Sequence, residues 1–346
     1  MSLLGLWYHK MAIPSKYLLA RLSGIPWILN WLNRSRLLVL AYHGIYDGPK
    51  QPGSLPDTFV HVSDMEAQLK EIKRRYRVID PEDLLQCLEA KSSLPPYAAL
   101  ITFDDGYESF FRLALPVLRS LGIKSVVFVA TKYTEDQKPF YFDLAWFFMQ
   151  RCSKATINWV KGMVGIEGDG LSASAQLRSI LNRMKRMLPQ PRDDLAKEME
   201  KAVYSEIADA EGFLKLFRAM NQNQLKRVAA EGTTLGGHTH THTIMTVMPP
   251  DMAELEVLEN KRRLESALRG KCHFFAYPNG GEGDYNNGHK RLVRNAGYEA
   301  AFTLKQRRSS PLTDPMDISR INVVPEDTRE SLGIHCSGIV RAAIKF

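Results

Sequence analysis

Two carboxylates in direct succession and three imidazoles within five residues are the groups in this sequence best placed to do chemistry together. The carboxylates stand in Thr102-Phe103-Asp104-Asp105-Gly106, and the imidazoles in Gly236-Gly237-His238-Thr239-His240-Thr241-His242. Adjacent residues leaving a strand point in different directions, so one carboxylate can hold a metal while its neighbour faces a substrate as a base. Taken alone, Asp-Asp-Gly also makes a good surface turn. Imidazole is the commonest neutral ligand for zinc and related ions. An extended run would put His238, His240 and His242 on one face, whereas a turn would bring His238 and His242 together as i and i+4, and the spacing leaves both open. A solvated histidine cluster is the competing reading. Two histidines with one carboxylate leave coordination positions for water and substrate, as in a catalytic rather than a structural metal site. Such a metal polarises a carbonyl and activates water, which makes amide or ester hydrolysis the natural chemistry.

The elements that must position these groups follow a repeated rhythm. From residue 37 the chain alternates short apolar runs with amphipathic stretches, the pattern of βα units and a mainly parallel sheet. Strands are expected at 37–42, 77–79, 98–103 and 125–129, with helices at 62–74, 81–89 and 110–121. Both chemical motifs directly follow an apolar run, where α/β proteins build their sites. Between about 139 and 225 the rhythm stops, and a Met-, Lys-, Arg-, Glu- and Leu-rich stretch with helical periodicity reads as a helical insertion. Strands resume at 233–237, 273–277 and 299–303, with helices at 252–268 and 290–295, and the signals weaken beyond Lys305.

The composition sets bounds on partners. A chain of 346 residues, 45% hydrophobic and 24% charged, is long enough for one large core. Its formal net charge of +8 favours anionic partners. The basic residues are dispersed and not gathered with stacking aromatics, which argues against nucleic acid. Cys87, Cys152, Cys272 and Cys336 form no CxxC pair and suggest a reducing compartment. No cleavable signal and no run of about 20 apolar residues is found, which reads as a cytoplasmic protein working at the membrane face. Residues 3–36 interleave Trp7, Leu18, Leu19, Trp27, Ile28 and Trp31 with Lys10, Lys16, Arg21, Arg34 and Arg36. This basic amphipathic segment would either rest on anionic lipid or pack on the barrel.

With these residues in hand, 102–106 and 238–242 resemble the first two motifs of the polysaccharide deacetylase family, the NodB-homology enzymes of carbohydrate esterase family 4. The resemblance spans roughly residues 37–305. It implies an α/β fold, a distorted barrel with fewer than eight βα units, carried on residues 37–346 and interrupted by the insertion. It further implies that Asp104 is the general base, that Asp105, His238 and His242 hold one divalent metal, and that His240 stays outside the ligand set. Zinc is the default from the ligand types, with cobalt, nickel or manganese able to substitute. Phe275-Ala276-Tyr277-Pro278-Asn279-Gly280 resembles the motif lining one wall of the groove, with Tyr277 and Pro278 shaping the sugar site and the Asn279 amide stabilising the oxyanion. Here the sequence departs from the pattern: Ala276 stands where the family usually has an arginine that orients the catalytic aspartate. Arg320 is the candidate replacement, and an ordinary surface arginine is the competing reading.

The family's last motif supplies a histidine acid near the C-terminus, where only His335 occurs and without recognisable context. Ala41-Tyr42-His43-Gly44 instead resembles the permuted subgroup that includes poly-N-acetylglucosamine deacetylases, and makes His43 the acid for the leaving amine. A histidine capping a buried strand is its alternative. Met245 stands where the family often has a leucine beside the acetyl methyl group, though core packing explains it equally well. The expectation is therefore a metal-dependent deacetylase of an N-acetylated, lipid-linked or polymeric glycan. Two rivals remain: a hydrolase of the same fold acting on a cyclic imide or ureide, and an inactive glycan-binding module.

Overall fold

Strands buried on both faces read as continuous apolar runs, and that is how the barrel is built. The computed structural model describes residues 23–50, 53–166, 172–310, 312 and 314–338; residues 1–22 of the basic N-terminal segment lie outside the described residues. The strands are β1 (Leu38–Tyr42), β2 (Ile45–Tyr46), β3 (Val60–His61), β4 (Arg77–Val78), β5 (Ala98–Phe103), β6 (Val126–Val129), β7 (Thr234–Gly237), β8 (Phe274–Ala276), β9 (Ala300–Thr303), β10 (Ile318–Ser319) and β11 (Ile321–Asn322). The main sheet is parallel throughout, in the order β10-β9-β8-β7-β6-β5-β1-β11 with β4 against the start of β5, and β2 pairs with β3 apart from it.

The two ends of that order are neighbours in sequence. β10 pairs with β9 and β11 pairs with β1, and Arg320 alone separates them. Residues 318–322 therefore act as one interrupted strand that closes the barrel. These two short strands were not anticipated, because a charged residue in the middle of a five-residue run erases the apolar signal. A second difference lies in residues 110–121, expected as one helix: the stretch opens with a π-helical turn, Phe110–Ala114, before the α-helix Leu115–Ser120. Pro116 has no N–H to donate, so the ladder is widened just ahead of it.

Alternate residues of each strand feed two cores. Val39, Leu100, Val126, Phe128, Phe274, Ala276, Phe302 and Ile318 fill the interior, while Leu40, Ile101, Phe103, Val127, Phe275, Ala301 and Ile321 face the surrounding helices. The helices between residues 131 and 230 pack a third core around Phe140, Phe148, Val160, Met184 and Met199, and it reaches Tyr107 just after the paired aspartates. No helix among the described residues is long and apolar enough to cross a membrane.

The helix Arg329–His335, which follows the closing segment, faces Glu71 of the helix Val62–Arg75 through Arg329 (3.8 Å), and Glu71 accepts from Arg74 (2.8 Å) and Arg75. The Arg74 guanidinium, against the opposing cost of burial, and then Arg75 hold the Glu71 carboxyl down to about 2. A carboxyl depressed on folding stabilises the protein above its unfolded-state pKa, and that stability is lost as the pH falls toward the folded value. Wild type should therefore lose stability between about pH 4.5 and pH 2 by a component that Glu71→Gln lacks, on the order of 1 kcal/mol after solvent screening of the exposed arginines. Urea unfolding of both proteins across that range measures the difference.

Candidate active site

The carboxyl ends of β1, β5, β7 and β8 bring the sequence-predicted groups to one end of the barrel. Asp104 leaves β5 with its N–H donating to the Tyr42 carbonyl of β1 (2.8 Å), so His43 and Asp104 become neighbours, with His43 Nε2 lying 3.7 Å from Asp104 Oδ2. Asp105 turns to the other side at φ 70°. Its Oδ1 lies 3.1 Å from His242 Nε2 and 3.6 Å from His238 Nε2, and the atom is buried with no hydrogen-bond partner. The three side chains could hold a single ion. An orphaned buried carboxylate oxygen facing two imidazoles is the donor set a divalent cation fits.

Tautomer and charge agree with that use. His238 Nδ1 is 2.7 Å from the Ala276 carbonyl, which can only accept, so Nδ1 carries the proton and Nε2 keeps its lone pair toward Asp105. Burial pushes His242 below the ordinary histidine range although Asp105 opposes it, which favours the neutral imidazole. Burial alone would raise Asp105, but the facing imidazoles of His238 and His242 outweigh it and leave its carboxyl below the ordinary carboxylate range. His240 turns away, its Nδ1 2.9 Å from the Thr131 hydroxyl.

Arg320 is not at the surface. It is fully buried inside the barrel and meets Asp104 as a fork, Nη1 to Oδ1 at 2.6 Å and Nη2 to Oδ2 at 2.7 Å. Its remaining donors reach the Thr303 carbonyl and the Thr102 hydroxyl, and its carbon centre sits 5.2 Å from the Phe128 ring. Burial favours the neutral acid at Asp104, but Arg320, with His238 and His43, leaves the carboxyl below its ordinary range. Asn279 reaches the rim at φ 63°, its side chain donating to Asp284 (2.5 Å) and accepting from Lys185 (2.9 Å). Pro278, Tyr277 and Met245 are buried behind it; Tyr277 stacks on Tyr285 at 4.2 Å and donates to the Met316 carbonyl, and the neighbouring Ile244 lines a cavity of about 340 Å³ beside Asn279. His335 lies against Asp327 (3.1 Å) in the C-terminal helix.

Several positioning groups escaped the sequence reading. Asn260 bonds the Thr239 carbonyl (2.6 Å), the Val129 carbonyl (2.8 Å) and the His238 N–H (3.2 Å), so one side chain ties the histidine turn to β6. Gly237 is required beside it, since a Cβ there would stand 2.2 Å from the Tyr298 hydroxyl and 2.5 Å from Asn260. Glu256 accepts from the Thr241 N–H and hydroxyl. Arg192, from the inserted helix Pro189–Glu206, bonds the Thr241 carbonyl (2.9 Å) and the Thr243 hydroxyl (2.8 Å) while lying over Tyr141, which fixes the loop that holds His242 at φ 56°. The available signal was a polar residue on an apolar stripe: Arg192 with Leu195, Met199 and Val203, and Asn260 with Ala253, Val257 and Leu264.

Asn260→Leu should cost about 2 kcal/mol of stability by stranding buried backbone groups, and should weaken metal affinity roughly 10-fold to 100-fold by loosening His238. Competition titration against a chromophoric chelator, run below the variant's unfolding temperature, separates the second effect from the first.

Comparison with known proteins agrees with this fold. A sequence model of the family described as Polysaccharide deacetylase matches residues 91–301. YxkH of Bacillus subtilis (strain 168), which its name assigns to the polysaccharide deacetylases, is 31% identical over 99 residues, a stretch spanning 28% of this chain and 33% of that protein. Among solved structures, the Streptococcus pyogenes deacetylase PplD in complex with acetate covers 86% of this chain and 96% of its own, with a TM-score of 0.57 at 17% identity. A de-N-acetylase from Aggregatibacter actinomycetemcomitans covers 87% and 99% with a TM-score of 0.57 at 13% identity. IcaB from Ammonifex degensii covers 88% and 97% with a TM-score of 0.54 at 19% identity. At these identities the structures share the fold, and with the family match over residues 91–301 the chain belongs to the polysaccharide deacetylase family.

Proposed function

We propose that this protein is a metal-dependent hydrolase that removes acetyl groups from the N-acetylated sugars of a polymeric or lipid-linked glycan. The observation that carries the reading is the convergence of three groups at one end of the barrel: the Asp105-His238-His242 triangle, the forked Asp104–Arg320 pair and His43. Asp105, His238 and His242 would hold one divalent ion, zinc first among the candidates, which supplies Lewis-acid polarisation of the acetyl carbonyl and makes nearby water more acidic. Arg320 orients Asp104 and keeps it charged, so Asp104 takes the proton of the attacking water. The Asn279 backbone N–H faces the developing oxyanion, a contact worth a few kcal/mol when preorganised. His43, whose Nε2 lies 3.7 Å from Asp104, hands a proton to the departing amine nitrogen. The products are acetate and a free amino sugar.

The intact set of acid, base and ligand groups supports an enzyme over an inactive binding module. The expected result is acetate release from N-acetylglucosamine oligomers by the zinc-restored protein and none by the metal-stripped protein. Asp104→Asn should reduce release by roughly 10²-fold to 10⁴-fold with one equivalent of metal still bound. A protein that binds the metal but releases acetate from no oligomer would instead point to a non-sugar amide, and a cyclic imide assayed in parallel tests that outcome.

A further inference from the structure

We propose that the helix Ile25–Leu32 docks the protein on an anionic lipid surface, independently of the chemistry at the opposite end of the barrel. An ordinary surface helix buries its apolar stripe and exposes its polar one. This helix does the reverse. Its polar side chains face the protein: Asn30 Oδ1 accepts from the Tyr76 hydroxyl (2.8 Å) and from Arg308 (2.5 Å), and Asn33, which ends the helix, donates to the Ser337 carbonyl (3.2 Å). The Asn33 carbonyl also accepts from Arg308 (3.2 Å). Its large apolar side chains point outward, with Ile25 52%, Trp27 74%, Ile28 49%, Trp31 47% and Leu32 57% exposed, and none of its residues is buried. Five such side chains on a helix about 12 Å long form a contiguous patch of the kind that marks an interaction site.

Charge complementarity selects the partner. Residues 1–36 contain Lys10, Lys16, Arg21, Arg34 and Arg36 and no acidic residue. Arg36 is exposed beside the patch, and the Arg34 guanidinium lies 4.3 Å from the Trp31 ring. Tryptophans flanked by cations match the headgroup level of a bilayer carrying negative lipids, whereas in a second copy of the same face Arg34 and Arg36 would meet like charges. The helix also leads into the amino end of β1, with the Arg34 carbonyl accepting from the Tyr97 N–H just ahead of β5. Docking there leaves the carboxyl ends of the strands, and Asp104 with them, open on the other side.

The test is co-sedimentation of the full chain with phosphatidylcholine vesicles that do or do not contain phosphatidylglycerol. Binding should require phosphatidylglycerol and fall with added salt. Trp27→Ser/Trp31→Ser should weaken it about tenfold or more, and Arg36→Glu should weaken it at low salt, while both variants keep the wild-type melting temperature and rate of acetate release from a soluble oligomer. Equal binding to phosphatidylcholine alone, undiminished binding by the tryptophan variant, or no binding would overturn the proposal. So would a concentration-dependent dimer that the tryptophan variant abolishes, which would make the patch a contact between copies. Loss of acetate release with vesicle binding intact would count against the catalytic reading only.

Discussion

A carboxylate taken out of water must be paired or it will take up a proton, and the environment of Asp104 is organised around that requirement. The Arg320 fork answers it with two short charge-assisted bonds inside the barrel, and Arg320 in turn spends its other donors on Thr303 and Thr102. Removing either partner of such a pair leaves a bare buried charge, at a cost of about 3–5 kcal/mol. The same two bonds therefore couple barrel closure, the ionisation of Asp104 and its orientation toward His43.

Support for the other half of the site comes from outside the barrel. Asp105, His242 and Asn279 all have positive φ, uncommon for non-glycine residues though least so for Asp, Asn and His, and their loops are held by neighbours. Asn260 and Glu256 do this from the helix Pro250–Leu268, and Arg192 and Lys185 do it from the inserted helices. The turn after Asp105 is held in the same way, with the Gly106 carbonyl accepting from the Met220 N–H and the Glu108 N–H donating to the Arg218 carbonyl. The helices between residues 131 and 230 thus act as a brace on the loops that carry the ligand candidates.

Much of this was legible in the sequence, and the exceptions have physical causes. Strands β5 and β6 were visible because burial on both faces leaves only apolar residues, and the paired aspartates and histidine run stood out because they follow such runs directly. Arg320 was identified only as a candidate, since an arginine between two-residue strands looks like a surface residue until the strand order shows that it closes the barrel. Tyr277 was read as shaping the sugar site and Met245 as lining it or packing in the core, and the structure gives neither any exposed surface, because a residue just past the end of β8 or on the short turn Met245–Val247 has no periodic neighbours to reveal which way it faces. Lys185 lay inside a stretch with only helical periodicity, where nothing in one sequence distinguishes a solvated cation from one aimed back at the barrel, and Arg192 carried only the faint signal of its place on an apolar stripe.

The position of Arg320 also bears on when the protein becomes competent during its synthesis. Asp104 and the three metal-ligand candidates are all made before residue 243, whereas the guanidinium that keeps Asp104 charged arrives with residues 318–322, which complete the barrel. A growing chain can gather its histidines and its first aspartates early, but Asp104 has no fork to orient it until residues 318–322 slot between β9 and β1. Assembly of the barrel and fixing of Asp104 are the same event: in a partly folded chain water keeps that carboxylate ionised, and only closure replaces the water with the Arg320 fork that sets its direction.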